Sequence, residues 1–338
     1  MAYSINAKDH FNTVTYTGNG GNQTITGVGF TPDWVWFKSR DAGNSHALVD
    51  IVRGTTKVLY SDTTSGEQTI SAQTFNSDGF ALVQDSGANS INSNGSTKVA
   101  WSWKAGNSAG SSNSDGSITS TVSANTTAGF SIVKWTGNGS AATIGHGLGA
   151  APKVIFTKRY DGAYNWYTYH GGIGNGKYLL LEASDAEATT SGAWNNTSPT
   201  SSVFTKGSGA NTNGGTYIAY CFAPKAGFSA AGKYYGNSNA NGQFVYTGFK
   251  PGVVIVKDRD SNQWQMFDSK RGRNGAMGFV YPDSAEAETA TVPMDILSNG
   301  FKFRDTSGAR NGSGEQFTYL AVAEAALVGT NNVPANAR

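Results

Sequence analysis

Three times along the chain a proline opens a short apolar run that closes on a lysine: Pro32 before "DWVWFK", Pro152 before "KVIFTK" and Pro251 before "GVVIVK". Lys38, Lys158 and Lys257 each follow their proline by six positions. β-Branched and aromatic runs this short, bounded by Gly, Asn, Asp and Ser, read as strands. The register continues through a polar turn ("RD" at Arg40-Asp41, "RYD" at Arg159 to Asp161, "RD" at Arg259-Asp260) into a strand carrying His46, Trp166 or Trp264, each eight positions before a glycine. Each unit opens near "YTGNG" at Tyr16, "WTGNG" at Trp135 or "YYGNS" at Tyr234, and closes on "KVAWSWKAG", "YIAYCFAPKAG" or "TYLAVAEAA", where Ala100, Ala219 and Ala321 match. The most helical tracts, "SDAEATT" from Ser184 and "DSAEAET" from Asp283, are long enough for one or two turns only.

This pattern predicts an all-β chain of three tandem antiparallel β-sandwiches, each of about 100 residues, a common domain size. The expected boundaries are 1–106 for the first, 129–227 for the second, and 228–338 for the third with a short C-terminal tail. Between the first two lies a Gly/Ser-rich stretch, 107–128, that reads as an extended linker. Three such modules can close around a pseudo-threefold axis or hang as a string, and the linker favours the string.

Composition narrows the chemistry. The 338 residues carry 25 Lys and Arg against 23 Asp and Glu, too even a balance for a nucleic-acid partner. The single cysteine, Cys221, lies in an apolar strand and forms no intrachain disulfide. There is no signal-peptide pattern and no apolar stretch of membrane-spanning length, so synthesis in a cytoplasm without membrane insertion is expected. The glycines of "WTGNGSAATIGHGLGAAPKVIF" precede a strand, not a helix N-terminus, and read as turns and not as a phosphate loop. Four histidines without ligand spacing, and an acidic "DRDSN" that lacks the Gly and Glu of a calcium loop, imply neither metal nor cofactor. Candidate acid pairs such as Glu182 with Asp185, or Asp295 with Asp305, read as solvated turn residues. The chain is expected not to be an enzyme.

Two groups of residues remain. "VDIVRG" and "FDSKRG" place Asp50 before Arg53 and Asp268 before Arg271, which read as structural ion pairs at a turn; the middle unit has His170 and Ile173 there. Tyr164, Trp166 and Tyr167 in "AYNWYTY", Trp194 in "GAWNNTS", and Trp264 are candidate glycan contacts, because aromatic rings in polar surroundings stack on the apolar faces of sugars. Filling of a sandwich core is the competing reading of the same rings.

The stretches "GSITSTVSANTTAGFSIVKWTGNGSAATIGHGLGAAPKVIF", "YIAYCFA", "FVYTGFKPGVVIVKDRD" and "WQMFDSKRG" resemble an uncharacterised repeat-domain family of marine bacteriophage (cyanophage-type) virion structural and tail-fibre-like proteins. The resemblance covers nearly the whole chain. It implies jelly-roll or lectin-like sandwiches in a virion component made in the host cytoplasm, a tail fibre or other host-adhesion part that binds cell-surface glycan. Its partners would be other virion proteins and host glycan, with a homo-oligomer compatible with the design. The alternatives are a capsid or tail decoration protein and, less favoured, a polysaccharide depolymerase.

Overall fold

The computed structural model describes residues 5–71, 73–83, 91–271, 278–291 and 293–325. The expected C-terminal tail lies outside the described residues from 326 onward. The chain is all-β, built from antiparallel sheets. Three sheets are large, and they share one strand order. The first runs Phe11–Thr17, Thr97–Trp103, Trp34–Ser39, Ala47–Asp50, Lys57–Tyr60, Gln68–Thr69. In the second, Phe130–Thr136, Thr216–Phe222, Val154–Arg159, Trp166–His170, Lys177–Leu180 and Ala188–Thr189 follow the same path. The third runs Ser229–Tyr235, Gln316–Ala325, Lys250–Asp258, Gln265–Asp268, Phe279–Val280. Each is faced by a small sheet: Gln23–Ile25 with Gly79–Leu82 and Thr74–Asn76, Ala142–Gly145 with Val203–Lys206, and Phe244–Tyr246 with Gly300–Phe303 and Met294–Leu297.

The proline-led strands are continuously apolar because both of their faces are buried. In the first, Val35 and Phe37 pack toward the small sheet with Phe80 and Leu82, while Trp34 and Trp36 turn the other way. There they join Phe130, Phe156, Trp166 and Tyr220 of the second large sheet and Ile255 and Trp264 of the third sandwich in one shared core. Trp34 stacks on Tyr220 with ring centroids 4.3 Å apart.

Hydrogen bonds cross all three junctions in the same sense. The amide of Glu67 donates to Tyr160 O (2.8 Å), that of Glu187 to Arg259 O (2.9 Å), and that of Glu288 to Arg40 O (2.9 Å). First to second, second to third and third to first, the contacts close a pseudo-threefold ring. The string arrangement is not the one observed.

The stretch 107–128 corrects the linker expectation. It carries two strands, Ser111–Asn113 and Ser120–Asn125, that extend the edge of the second large sheet beside Phe130–Thr136. Small residues there serve close packing as well as freedom: a Cβ on Gly116 would sit 2.3 Å from Thr143 O. The glycine-rich approach to the second sandwich is likewise a matter of turns and contact, since a Cβ on Gly137 would meet Thr212 O at 2.3 Å. One matching of positions also shifts. Lys38, Lys158 and Lys257 pair with Val99, Ile218 and Thr318, so Ala100 and Ala219 correspond to Tyr319, not to Ala321.

The three lysines that end the proline-led strands are buried at the junctions, not exposed at turns. Lys38 Nζ donates to Asn44 O (2.6 Å) and, across the junction, to Ala285 O (2.8 Å). Lys158 Nζ donates to Tyr164 O and, across the junction, to Thr64 O (2.9 Å). Lys257 Nζ binds Asp258 Oδ1 and Asp260 O within its own turn, both at 2.6 Å.

Candidate ligand-binding site

The three sandwiches fill the space between large and small sheet differently. In the first, Tyr16 Oη donates to Ile91 O at 2.7 Å; in the third, Tyr234 Oη donates to Arg310 O at 2.8 Å. The next residue, Asn92, Asn211 or Asn311, accepts at its carbonyl from the amide of Gly20 (2.8 Å), Gly139 (2.8 Å) or Ser238 (2.7 Å). These matched bonds place Ala210 of the second sandwich where Ile91 and Arg310 stand. Ile91 is buried in the core of its sandwich, and the Arg310 guanidinium lies 5.1 Å over the Phe279 ring. Ala210 is too short to fill the same space.

What remains in the second sandwich is a cavity of about 270 Å³ whose lining includes Thr157, Arg159, Tyr164, Tyr167, Lys206 and Tyr217. At its mouth the Arg159 guanidinium lies 4.0 Å over the Tyr164 ring and its Nε binds Asp161 Oδ1 at 2.6 Å. The Tyr217 ring stacks on Trp135 (centroids 5.0 Å apart) while its hydroxyl accepts from the Thr212 amide at 2.8 Å. At the base, Lys206 is buried. Its Nζ donates to Thr157 Oγ1 (3.2 Å) and lies 4.0 Å over the Trp194 ring and 5.2 Å over the Tyr167 ring. Burial pushes this ammonium down to about 7, because charge is disfavoured away from water.

The candidate aromatics divide. Tyr164, 41% exposed, and partly buried Tyr167 both line this cavity. Trp166, Trp194 and Trp264 do not present rings to solvent, at 0%, 1% and 3% exposed, which corrects their assignment as glycan contacts. The indole of Trp166 faces the shared core and donates to Tyr60 O across the junction (2.9 Å), and that of Trp264 donates to Leu180 O (2.8 Å). Trp194 ends the single-turn helix Ser191–Trp194 and packs edge-on against Tyr169, with centroids 5.6 Å apart.

Asp50–Arg53 and Asp268–Arg271 form buried ion pairs, the first at 2.6 Å, the second through Arg271 Nε and Asp268 Oδ2. Both reach across a junction as well: Tyr220 Oη donates to Asp50 Oδ2 (2.8 Å) and Trp101 Nε1 to Asp268 Oδ2 (3.1 Å). His170, which replaces the aspartate in the second sandwich, bonds Tyr319 O through Nε2 at 3.0 Å.

Among the acids, Glu182 accepts from the Trp166 amide (3.0 Å), Asp295 binds Arg304 (2.5 Å) and Asp305 binds Arg310. None of the three lines the cavity. Among the described residues no group of three or more His, Cys, Asp or Glu side chains could hold a metal, and no helix is long and apolar enough to cross a membrane. Sequence reasoning missed Lys206, Arg159 and Tyr217. The available signal was the lysine that ends "SVFTK" where a core residue belongs.

A family model described as "Domain of unknown function (DUF7483)" matches residues 6–326. No curated protein and no solved structure matches the chain.

Proposed function

We propose that this chain, which belongs to the DUF7483 family, is a non-enzymatic phage virion component that binds host cell-surface glycan through the cavity of its second sandwich. The observation that carries the reading is the combination lining that cavity: the rings of Tyr164, Tyr167 and Tyr217 beside the hydroxyls of Thr157 and Thr212 and the amide of Asn165. Sugars offer apolar faces to rings and hydroxyls to polar groups, and a small concave site with few convergent polar groups suits a single sugar unit. The phage assignment rests on the repeat motifs quoted from the sequence. A glycan array probed with the full chain tests the binding: retention of host-type glycans is expected, with loss on Tyr164→Ala or Tyr167→Ala. Failure to retain any glycan overturns the reading.

A second reading, a capsid or tail decoration protein, is favoured by a different observation. Tyr235, Phe244 and Tyr246 of the third sandwich are 49%, 41% and 62% exposed. Exposed aromatics of this kind suit a protein contact. Cryo-microscopy of the particle distinguishes the two: density along a capsid or tail wall with these three residues covered supports decoration, and density at a host-facing tip supports adhesion.

A further inference from the structure

We propose that the cavity of the second sandwich selects a sugar that carries a carboxylate, a uronate, and that the Lys206 ammonium is the group that binds it. The proposal rests on the glycan reading above and adds the class of sugar.

Lys206 occupies a core position. In the second small sheet Phe204 pairs with Ile144 and Lys206 with Ala142; in the first, Phe80 pairs with Ile25 and Leu82 with Gln23; in the third, Phe301 pairs with Val245 and Phe303 lies two residues on. Lys206 therefore stands where the other sandwiches place Leu82 and Phe303, each 1% exposed. Facing it, Thr157 precedes the junction lysine Lys158 as Phe37 precedes Lys38 and Val256 precedes Lys257. Only the second sandwich substitutes an ammonium and a hydroxyl for two apolar core residues, and only there does Ala210 open space in front of them.

The ammonium is left incomplete. It has three donors, and among the described residues Thr157 Oγ1 is the one acceptor it reaches. Among the described residues no carboxylate pairs with it, and burial alone makes it a stronger acid than a solvated ammonium. The Trp194 and Tyr167 rings attract a cation without neutralising it. A buried unpaired charge is costly, and the cost is relieved by an anion that enters the cavity. A neutral sugar relieves none of it. Arg159 at the mouth is already neutralised by Asp161 and stacked on Tyr164, so Lys206 is the cation left to make the contact. The aromatic lining supplies the sugar-ring part of the selection, and one ammonium matches one monoanion.

The test is calorimetric titration of the full chain at pH 6 with D-glucuronate, D-glucose, D-glucuronamide, sodium acetate and sodium sulfate, beside the glycan array. Glucuronate is expected to bind at least tenfold tighter than the other four, and to weaken as pH rises from 6 to 9 and Lys206 loses its proton. Lys206→Met, which keeps the side-chain volume, is expected to remove the tenfold preference. Lys206→Gln serves as the second variant, and near-ultraviolet circular dichroism checks the fold of both. Glucose binding as well as glucuronate, or a preference that survives in both folded variants, overturns the inference and leaves the glycan reading standing. Acetate or sulfate binding as tightly as glucuronate also overturns it, as a plain anion site. If no sugar binds in titration or on the array, the glycan reading falls with it.

Discussion

Asp50 and Lys206 are both charged side chains removed from water, and they differ in what balances them. Asp50 Oδ1 accepts from the amides of Val52 (3.0 Å) and Arg53 (2.8 Å), and Oδ2 from Arg53 Nε (2.6 Å) and Tyr220 Oη (2.8 Å). Asp50→Asn keeps the shape but leaves Arg53 buried beside a neutral amide, so it is expected to cost about 3–5 kcal/mol in urea unfolding. Tyr220→Phe removes one bond to a charged group and should cost about 1.5–3 kcal/mol. Because the two share Oδ2, the double variant should lose less than the sum of the singles. The second sandwich makes the same point in reverse. Leu320 holds the strand position of Trp101 and Tyr220 and has nothing to donate, and there the partner position carries His170 instead of aspartate. Burial holds that imidazole down to about 4, so near pH 7 it is neutral and donates to a carbonyl. Lys206 has no such balance. Burial pushes it down from 10.5 to about 7 on folding, so between those values the unfolded chain binds more protons and stability rises with pH. Lys206→Met is therefore expected to melt higher than the wild type below pH 7, by an amount on the order of 5 kcal/mol, with the gap closing toward pH 10. Differential scanning calorimetry across pH 6 to 10 reads it; equal melting temperatures at pH 6 would mean the ammonium is already paired.

At the scale of elements, the stretch 120–125 separates a strand from a linker most directly. Its residues pair with Phe130–Thr136 in register from Thr121↔Lys134 to Asn125↔Phe130. Hydrogen exchange should therefore find the ladder-bonded amides of 121–125 protected to a degree approaching those of 130–136; exchange within seconds throughout would contradict the pairing. The sequence hid this strand because "STVSAN" has one large apolar residue, Val122, and the residues it clusters with, Ile144 of the small sheet and Leu148 of the loop after it, come from further along the chain. The proline-led strands were legible for the opposite reason: β-branched and aromatic residues on both faces can only be strands of a doubly covered sheet. That same double covering misled the reading of the aromatics. Trp166 alternates with Tyr167 along one strand, and the pleat sends the first to the shared core and the second to the cavity. Which face meets solvent depends on how three sheets pack, and local pattern does not carry it. Lys38, Lys158 and Lys257 were visible as a repeat but not as buried, since a lysine at a strand end ordinarily marks the surface.

For the whole molecule, the junctions gather charges that ring closure takes out of water. Asp62, Glu182 and Asp283 sit at matching places, two residues after Tyr60, Leu180 and Tyr281, and burial raises all three, Glu182 and Asp283 to about 7. A carboxyl raised on folding binds more protons in the native state, so the stability it confers is complete below the unfolded value near 4 and is lost as pH climbs through 7. His46 and His170 act in the opposite sense over an overlapping range, because burial lowers them and the unfolded chain then binds the extra protons. The wild-type curve alone thus mixes the two, and the carboxyls are isolated by difference. Glu182→Gln with Asp283→Asn resembles the protonated wild type and should match its stability near pH 4. As pH rises to 8 the double variant should gain on the wild type, by up to about 3 kcal/mol for each group. Lys38 and Lys158, pushed down to about 8 by burial, belong to the same junctions, and their relief begins only above that value, so the window from pH 4 to 7 reports the acids. Urea unfolding of both proteins at half-unit steps measures the difference. A difference that stays flat from pH 4 to 8 would mean that these carboxyls keep their water, and that the three sheets do not close on one another as tightly as the ring requires.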